Sequence, residues 1–340
     1  MKHTFLKLAG LALTATILFA GTAFADGGRI AVVRNMTSSD HTAQFFKGCT
    51  EEGEALGYSV DTFMSDGDDV KMQDLMTQAI NQGYDIMIVS HANEGYQYDL
   101  VSKAVEKGIK VVGFDCGGEH VEGVTYTTQD DASLTKISLD ALIEKAKEGG
   151  AEEPINIIEV NTLGAIVPFD TRHSVVQQYV DEGKLNVVQL VSPSLAGDFY
   201  SEVNTGVSTT LSNHPEVQAA WTASTAFLDG ILDATKNAGR DDVVVTGIDI
   251  SDTEVQRLAA EPSYYCCAAV DPYVIGVVDT RIAVSKVLGL ETPETYQFAA
   301  VGIFNTDVKE GDTMASLAGA IEGFGSSEEF KSDELEALRK

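Results

Sequence analysis

Apolar residues along this chain follow two alternating rhythms: short runs at consecutive positions, and longer stretches that repeat at helical spacing. Arg29–Arg34 (RIAVVR) predicts a strand, followed by a helix over Thr42–Leu56 that stops at Gly57. Strand Tyr58–Met64, helix Val70–Asn81 with its stop at Gly83, strand Asp85–Ser90, helix Tyr96–Lys107 and strand Lys110–Phe114 continue the series. A second series opens with helix Ala132–Lys147, strand Ile155–Val160, helix Asp170–Glu182, strand Asn186–Val191 and helix Tyr200–Ser212. It runs on through strand Val217–Thr222, helix Ala226–Ala238, strand Val243–Ile248 and a short helix Thr253–Ala260. Strand Tyr264–Val270, helix Pro272–Leu288 and strand Thr295–Val301 complete it. The strand runs are apolar on consecutive positions, as expected when both faces are covered. Strands alternating with helices imply right-handed βαβ units and a parallel sheet. There are too many strands for one compact sheet, so the expected fold is α/β: two doubly wound parallel-sheet lobes. From Lys309 onward the chain turns Gly-, Ser- and acid-rich, and Ser326–Lys340 reads as an exposed helical or mobile tail.

The stretch ahead of the first strand has another pattern. Lys2 and Lys7 precede an apolar run from Leu8 to Ala20, and Ala23-Phe24-Ala25 stands before Asp26. That is the layout of a cleavable secretory signal, too short to span a bilayer. Cleavage after Ala25, export and a periplasmic location are expected; no cysteine at the junction suggests a lipid anchor. Taking Lys2 and Lys7 from 23 basic residues leaves 21 against 52 acidic ones, a net charge of −31. Such a surface repels phosphate backbones, so no nucleic-acid partner is expected. The four cysteines (Cys49, Cys116, Cys266, Cys267) allow three full pairings and sequence does not choose among them. A Cys266–Cys267 bond is disfavoured because strand neighbours point to opposite faces. Their spacing with histidine matches no metal site, and neither metal nor cofactor is expected.

In open parallel sheets ligands meet residues just beyond the carboxyl ends of strands. Those ends here are Arg34 to His41 (including Ser39), Ser90 to Asn93, Asp115 to Gly118, Ser224-Thr225 and Asp249 to Ser251. Each is polar directly after an apolar run, yet Ser, Asp and Asn at such turns also serve simply to cap the next helix. Convergence of several in one crevice is what would make a site. No phosphate loop, G-x-S-x-G elbow, H-E-x-x-H or dinucleotide glycine fingerprint is present.

Taken in order, several segments resemble the periplasmic sugar-binding proteins of ABC transporters, of the ribose- and galactose-binding type. RIAVVRNMTSSDHTAQFFKGCTEEGEALGY is similar to that family's first strand, ligand loop and helix, IKVVGFDCGGE to the strand delivering a sugar-binding Asp, and DTRHSVVQQYV to the segment supplying an Arg. LSNHPEVQAAWTASTAFLDGIL and VVVTGIDIS resemble the stretches before a polar contact and a second Asp. The resemblance covers Arg29 to Gly302. It implies the periplasmic binding protein type 1 fold, in which a three-segment hinge joins lobes that close on a ligand. The implied division is 1–25 signal peptide, 26–128 with 271–302 as N-terminal lobe, 129–270 with 303–312 as C-terminal lobe, and 313–340 as acidic tail, with crossings near Gln129, Asp271 and Ile303. It also implies facing carboxylates at Asp115 and Asp249, a guanidinium at Arg172, an aromatic ring at Phe199 and polar contacts at Ser39, His41, Ser224 and Asp271. Carboxylates accepting paired hydroxyls and a planar donor fork suit a neutral polyol. Trp221 reads as core, and Phe169 as a rim residue.

The sequence departs from the family at Asp40-His41-Thr42, where relatives carry aromatic rings, at Asp115-Cys116 in place of Asp-Arg, and at Val270 in place of an amide. The weaker clamp points to a linear polyol, a short sugar or a modified furanose. The implied partners are a small carbohydrate or polyol and a membrane permease, with the protein a monomer. Alternatives are a sensor docking on a chemoreceptor, with a furanose-type signal, and a secreted sugar-active enzyme.

Overall fold

The runs of consecutive apolar residues become strands, and the helical stretches pack on both faces of the two sheets they form. The computed structural model describes residues 27–195, 197–325 and 328–339; the signal segment expected at 1–25 lies outside them. The chain runs β1 (Arg29–Arg34), α1 (Asp40–Ala55), β2 (Ser59–Met64), α2 (Asp69–Gln82), β3 (Ile86–Ser90), α3 (Gln97–Glu106), β4 (Lys110–Phe114) and β5 (Thr125–Gln129). It continues through α4 (Asp131–Glu148), β6 (Ile155–Val160), α5 (Val167–Asp181), β7 (Leu185–Val191), α6 (Phe199–Asn213), β8 (Ala219–Thr222), α7 (Leu228–Asn237), β9 (Val244–Ile248), α8 (Asp252–Ala260) and β10 (Tyr264–Ala269). After α9 (Pro272–Leu288) come β11 (Thr295–Phe298), β12 (Val301–Phe304) and the short helices α10 (Met314–Leu317) and α11 (Asp333–Glu336).

The first sheet has the order β11-β5-β4-β3-β1-β2 and is parallel throughout. Successive β1 residues feed opposite cores: Ile30 and Val32 pack on the α1–α9 side, Ala31 and Val33 on the α2–α3 side. Gly48 of α1 and Gly276 of α9 let those two helices nearly touch. A Cβ at either would lie 2.1 Å from the Tyr273 carbonyl oxygen or 2.3 Å from that of Phe45. The second sheet, β12-β10-β9-β8-β6-β7, is parallel except for β12, which runs antiparallel to β10. Its core includes Trp221, fully buried with the indole donating to Ser138 Oγ at 2.8 Å.

The backbone passes between lobes three times: after β5, between β10 and α9, and at residues 299–300. The stretch Thr295–Val301, which reads as one strand, is two, β11 in the first sheet and β12 in the second. The third passage therefore precedes Ile303. The C-terminal stretch, expected as an exposed helical or mobile tail, carries the short helix α11 but buries apolar side chains. Met314, Leu317 and Phe324 are buried in the second lobe's core, whereas Phe330, Leu335 and Leu338 pack on the first lobe. Arg339 and Arg281 share the carboxylate of Glu52, at 2.6 and 2.7 Å. Described residues up to Phe324 thus pack on the second lobe and those from Phe330 on the first. All four cysteines are free thiols, and burial pushes those of Cys116 and Cys266 up to about 12.

Candidate ligand-binding site

Register within each sheet assembles the site. Arg34 is level with Ser90, and Ser90 with Phe114, so the residues that follow, His91 and Asp115, emerge together at the carboxyl edge of the first sheet. In the second sheet Thr222 is level with Gly247, which places Ser224 beside Asp249. The two edges face each other across a cleft holding adjoining cavities of about 80 and 180 Å³ that share His91 and Ile166. Five non-glycine residues among those described have a left-handed backbone, and three of them stand on this cleft: His91 (φ 60°), Asp115 (φ 47°) and Asp249 (φ 81°). Such strain, of order 1 kcal/mol each, concentrates at functional sites.

The second lobe's wall is organised by Arg172 of α5, 2% exposed. Its Nε donates to Asp131 Oδ1 at 2.7 Å, Nη1 donates to the Ala223 carbonyl, and Nη2 lies 3.7 Å from Asp249 Oδ1. The other Asp249 oxygen accepts from Ser224 Oγ at 3.0 Å. Burial lifts the Asp131 carboxyl above its ordinary value while the guanidinium opposes that shift.

On the first lobe, Asp115 Oδ1 accepts from Thr128 Oγ1 (2.7 Å) and from the Gln129 amide (3.3 Å). Its Oδ2 is buried without a hydrogen-bond partner, 3.8 Å from His91 Nε2. Burial, then repulsion from Asp131, raises the Asp115 carboxyl to about 7. His41 Nε2 and Gln129 Oε1 are likewise buried and unpartnered at the smaller cavity. Between the lobes, Asp40 Oδ2 accepts from Thr253 Oγ1 at 2.7 Å and Ser251 Oγ at 3.2 Å.

Of the residues expected at the site, Ser39, His41, Arg172, Ser224 and Asp249 line the smaller cavity and Asp115 the larger. Ser39 and Ser224 also cap the helical turns that follow them. Two expected residues are elsewhere. Phe199, at the start of α6, packs edge-on against Phe227 with ring centroids 5.9 Å apart, and is not on the cleft. The aromatic ring that lines the smaller cavity is instead Phe169, with Met36, Ile166 and Pro168 also in its lining. Asp271 accepts from the amides of Tyr273 (2.9 Å) and Val274 (3.4 Å), capping α9 beside a separate cavity of about 110 Å³ near the hinge. Arg34, His91, Gln129, Asp131 and Glu254 are also on or behind the cleft wall; Arg34 and His91 stood only among the polar strand-end residues after β1 and β3, and the other three were not expected at the site. No three His, Cys, Asp or Glu side chains among the described residues gather as metal ligands would.

Residues 30–291 match the family model described as periplasmic binding protein domain. The ribose import binding protein of Escherichia coli (strain K12) is 26% identical over 249 residues, 73% of this chain and 80% of that one. A D-apiose import binding protein of Actinobacillus succinogenes is 24% identical over 253 residues, 73% and 78% of the two chains. Among solved structures, a sugar ABC transporter protein from Yersinia enterocolitica superposes with a TM-score of 0.84 at 32% identity, covering 92% of this chain and 94% of that one. A 5-methylthioribose transporter solute binding protein from Thermotoga lettingae, in complex with 5-methylthioribose, shares the fold with a TM-score of 0.83 at 22% identity, over 93% and 98% of the two chains.

Proposed function

Because the chain belongs to the periplasmic binding protein domain family, we propose that it is the solute-binding component of an ABC importer, closing on a small sugar or polyol and presenting it to a membrane permease. Family membership and the import role of its curated relatives support a binding protein of the periplasm rather than an enzyme. The observation that carries the ligand class is the set of unspent hydrogen-bonding atoms on the cleft: Asp115 Oδ2 and Gln129 Oε1 as acceptors, together with His41 Nε2. A hydroxyl both donates and accepts, so a ligand rich in hydroxyls meets each of these valences. Leaving one unmet costs about 1–3 kcal/mol. Acids in and around the cleft (Asp115, Asp131, Asp249, Glu254) outnumber Arg34 and Arg172, which disfavours an anionic ligand. Asp115, Asp249, Arg172, His41, Ser39 and Ser224 form the contact set in this reading, with Phe169 under the apolar face of the sugar. The lobes hinge at the three passages, and the protein acts as a monomer.

A thermal-shift screen over neutral sugars, polyols and sugar acids tests this, since a ligand bound only by the folded state raises Tm. A neutral sugar or polyol should give the largest rise and be recovered unchanged. A shift with sugar acids alone, no shift at all, or a product in the mixture overturns it.

A further inference from the structure

Arg34 ends β1 fully inside the protein, 1% exposed, and its guanidinium reaches one cleft histidine directly and the other through Ser90. Nη2 lies 3.2 Å from His41 Nδ1, Nη1 donates to Ser90 Oγ at 2.8 Å, and Nε is 3.4 Å from Thr42 Oγ1. Ser90 Oγ is in turn 2.7 Å from His91 Nδ1. A guanidinium has donors only. His41 Nδ1 therefore accepts, and the proton of the neutral ring sits on Nε2, the buried atom with no protein partner. Ser90, having accepted from Arg34, has its own proton to place, and His91 Nδ1 is the acceptor within reach. The His91 proton is then also on Nε2, facing Asp115 Oδ2. The opposite tautomer would strand the Ser90 hydrogen.

We propose that Arg34 is a positioning residue that locks both cleft histidines in the Nε2–H tautomer, so that the first lobe offers its ligand two uncharged donors. The charged and titratable groups around them agree. Arg34 and Arg172 favour the neutral form of both rings, His41 does so for His91, Asp249 opposes it at His41, and Asp115 Oδ2 lies 3.8 Å from His91 Nε2. Burial, aided by the two guanidiniums, holds His41 down at about 4 and His91 well below its ordinary value, so neither ring charges at neutral pH. What meets this wall is thus an oxygen lone pair of a ring, carbonyl or hydroxyl group. An ammonium there would find donors and no acceptor on the rings. The inference rests on the cleft being the ligand site, but its test does not need a ligand.

Long-range proton–nitrogen correlation spectra of the unliganded, ¹⁵N-labelled chain read the tautomers directly. Both rings should show a bare Nδ1 and a protonated Nε2 at pH 7. In Arg34→Met both should lose that signature, with Nδ1 protonation appearing. In Ser90→Ala, which leaves the guanidinium in place, only His91 should change. An Nδ1 proton on either ring of the native chain at pH 7, or an unaltered His91 signature in Ser90→Ala, overturns the proposal even if Arg34→Met does not fold. Correct tautomers in a chain that binds none of the sugars would leave this inference standing and remove the sugar reading.

Discussion

Replacing Asp40 with alanine should weaken ligand binding without removing any contact made within one lobe. Asp40 begins α1 in the first lobe, yet its Oδ2 accepts from Thr253 Oγ1 (2.7 Å), Ser251 Oγ (3.2 Å) and the Thr253 amide (3.3 Å) at the start of α8 in the second. One lobe thus caps a helix of the other, an arrangement available only when the cleft is shut. Charge-assisted hydrogen bonds contribute about 1.5–3 kcal/mol when buried. Asp40 is exposed, so solvent screening reduces the net effect to about 1 kcal/mol. That is about a fivefold change in the ratio of closed to open protein. Apparent affinity scales with the competent fraction, so Kd should rise about fivefold, mostly through faster release. Calorimetry and stopped-flow dissociation with the sugar found by the thermal screen would measure both. The decisive comparison is a double-mutant cycle. If the contact with α8 is the cause, Asp40→Ala combined with Thr253→Ala should be no worse than Asp40→Ala alone. Losses that add would mean that Asp40 touches the ligand itself, and an unchanged Kd and release rate would refute the latch.

Asp115→Ala should lose at least ~2 kcal/mol of binding, the scale for leaving buried hydroxyls unpaired, by calorimetry; undiminished affinity would reduce Asp115 to a turn residue. Asp271→Ala should do the reverse, costing about 1 kcal/mol of stability as a lost helix cap with ligand affinity intact, and an unchanged urea midpoint would count against it. Glu254 is raised to about 7, first by burial and then by repulsion from Asp40 and Asp229. Between pH 4.5 and about 7 the folded chain keeps a proton there that the unfolded chain has released, so this group's contribution to stability falls as pH rises. Glu254→Gln should therefore be more stable than the native chain at pH 8, by roughly 2 kcal/mol, with the gain gone near pH 4; a difference independent of pH would contradict this. Leu335→Ala should cost about 2 kcal/mol or more, since Leu335 is 1% exposed, whereas a mobile tail would give no change in unfolding.

The lobes were legible because strands buried on both faces carry their own signature, and β1, β3, β6 and β9 all have it. β5 does not: its sequence, TYTTQ, has no apolar run and becomes a strand through its neighbours β4 and β11. The same limit hid the break at residues 299–300, where an apolar stretch changes sheets, and the anchoring of Leu335, one apolar residue amid acids. At the cleft, Asp115, Asp249 and Ser224 could be found because the strand-end rule is local. The same rule reaches Arg34 but not its role, and it misses Asp131, because those roles are set by Ser90 and Arg172, 56 and 41 positions away. Asp131 and Asp271 show the ambiguity most directly. Both stand at a helix start. One carboxylate is drawn to a buried guanidinium, and an oxygen of the other is spent on two backbone amides.

How charge is divided between the lobes explains how such a cleft can open at all. Arg172, Asp131 and Asp249 all belong to the second lobe, while Arg34, Ser90, His91 and Asp115 belong to the first. Arg172 finds its carboxylates, and Arg34 its hydrogen-bond acceptors, within their own lobes. Had Arg172 been matched by Asp115 across the gap, opening would have left both unpaired, at a cost of about 3–5 kcal/mol. The pairing within each lobe removes that barrier. What remains turned towards the gap is the His41 Nε2–H, the Gln129 amide oxygen and one oxygen of Asp115, the last in a carboxyl near its midpoint at neutral pH. Water can satisfy these groups in the open cleft and ligand hydroxyls in the closed one. The lobes can then swing at little electrostatic cost, and the preference for closure comes from the ligand's hydrogen bonds together with the Asp40 cap on α8.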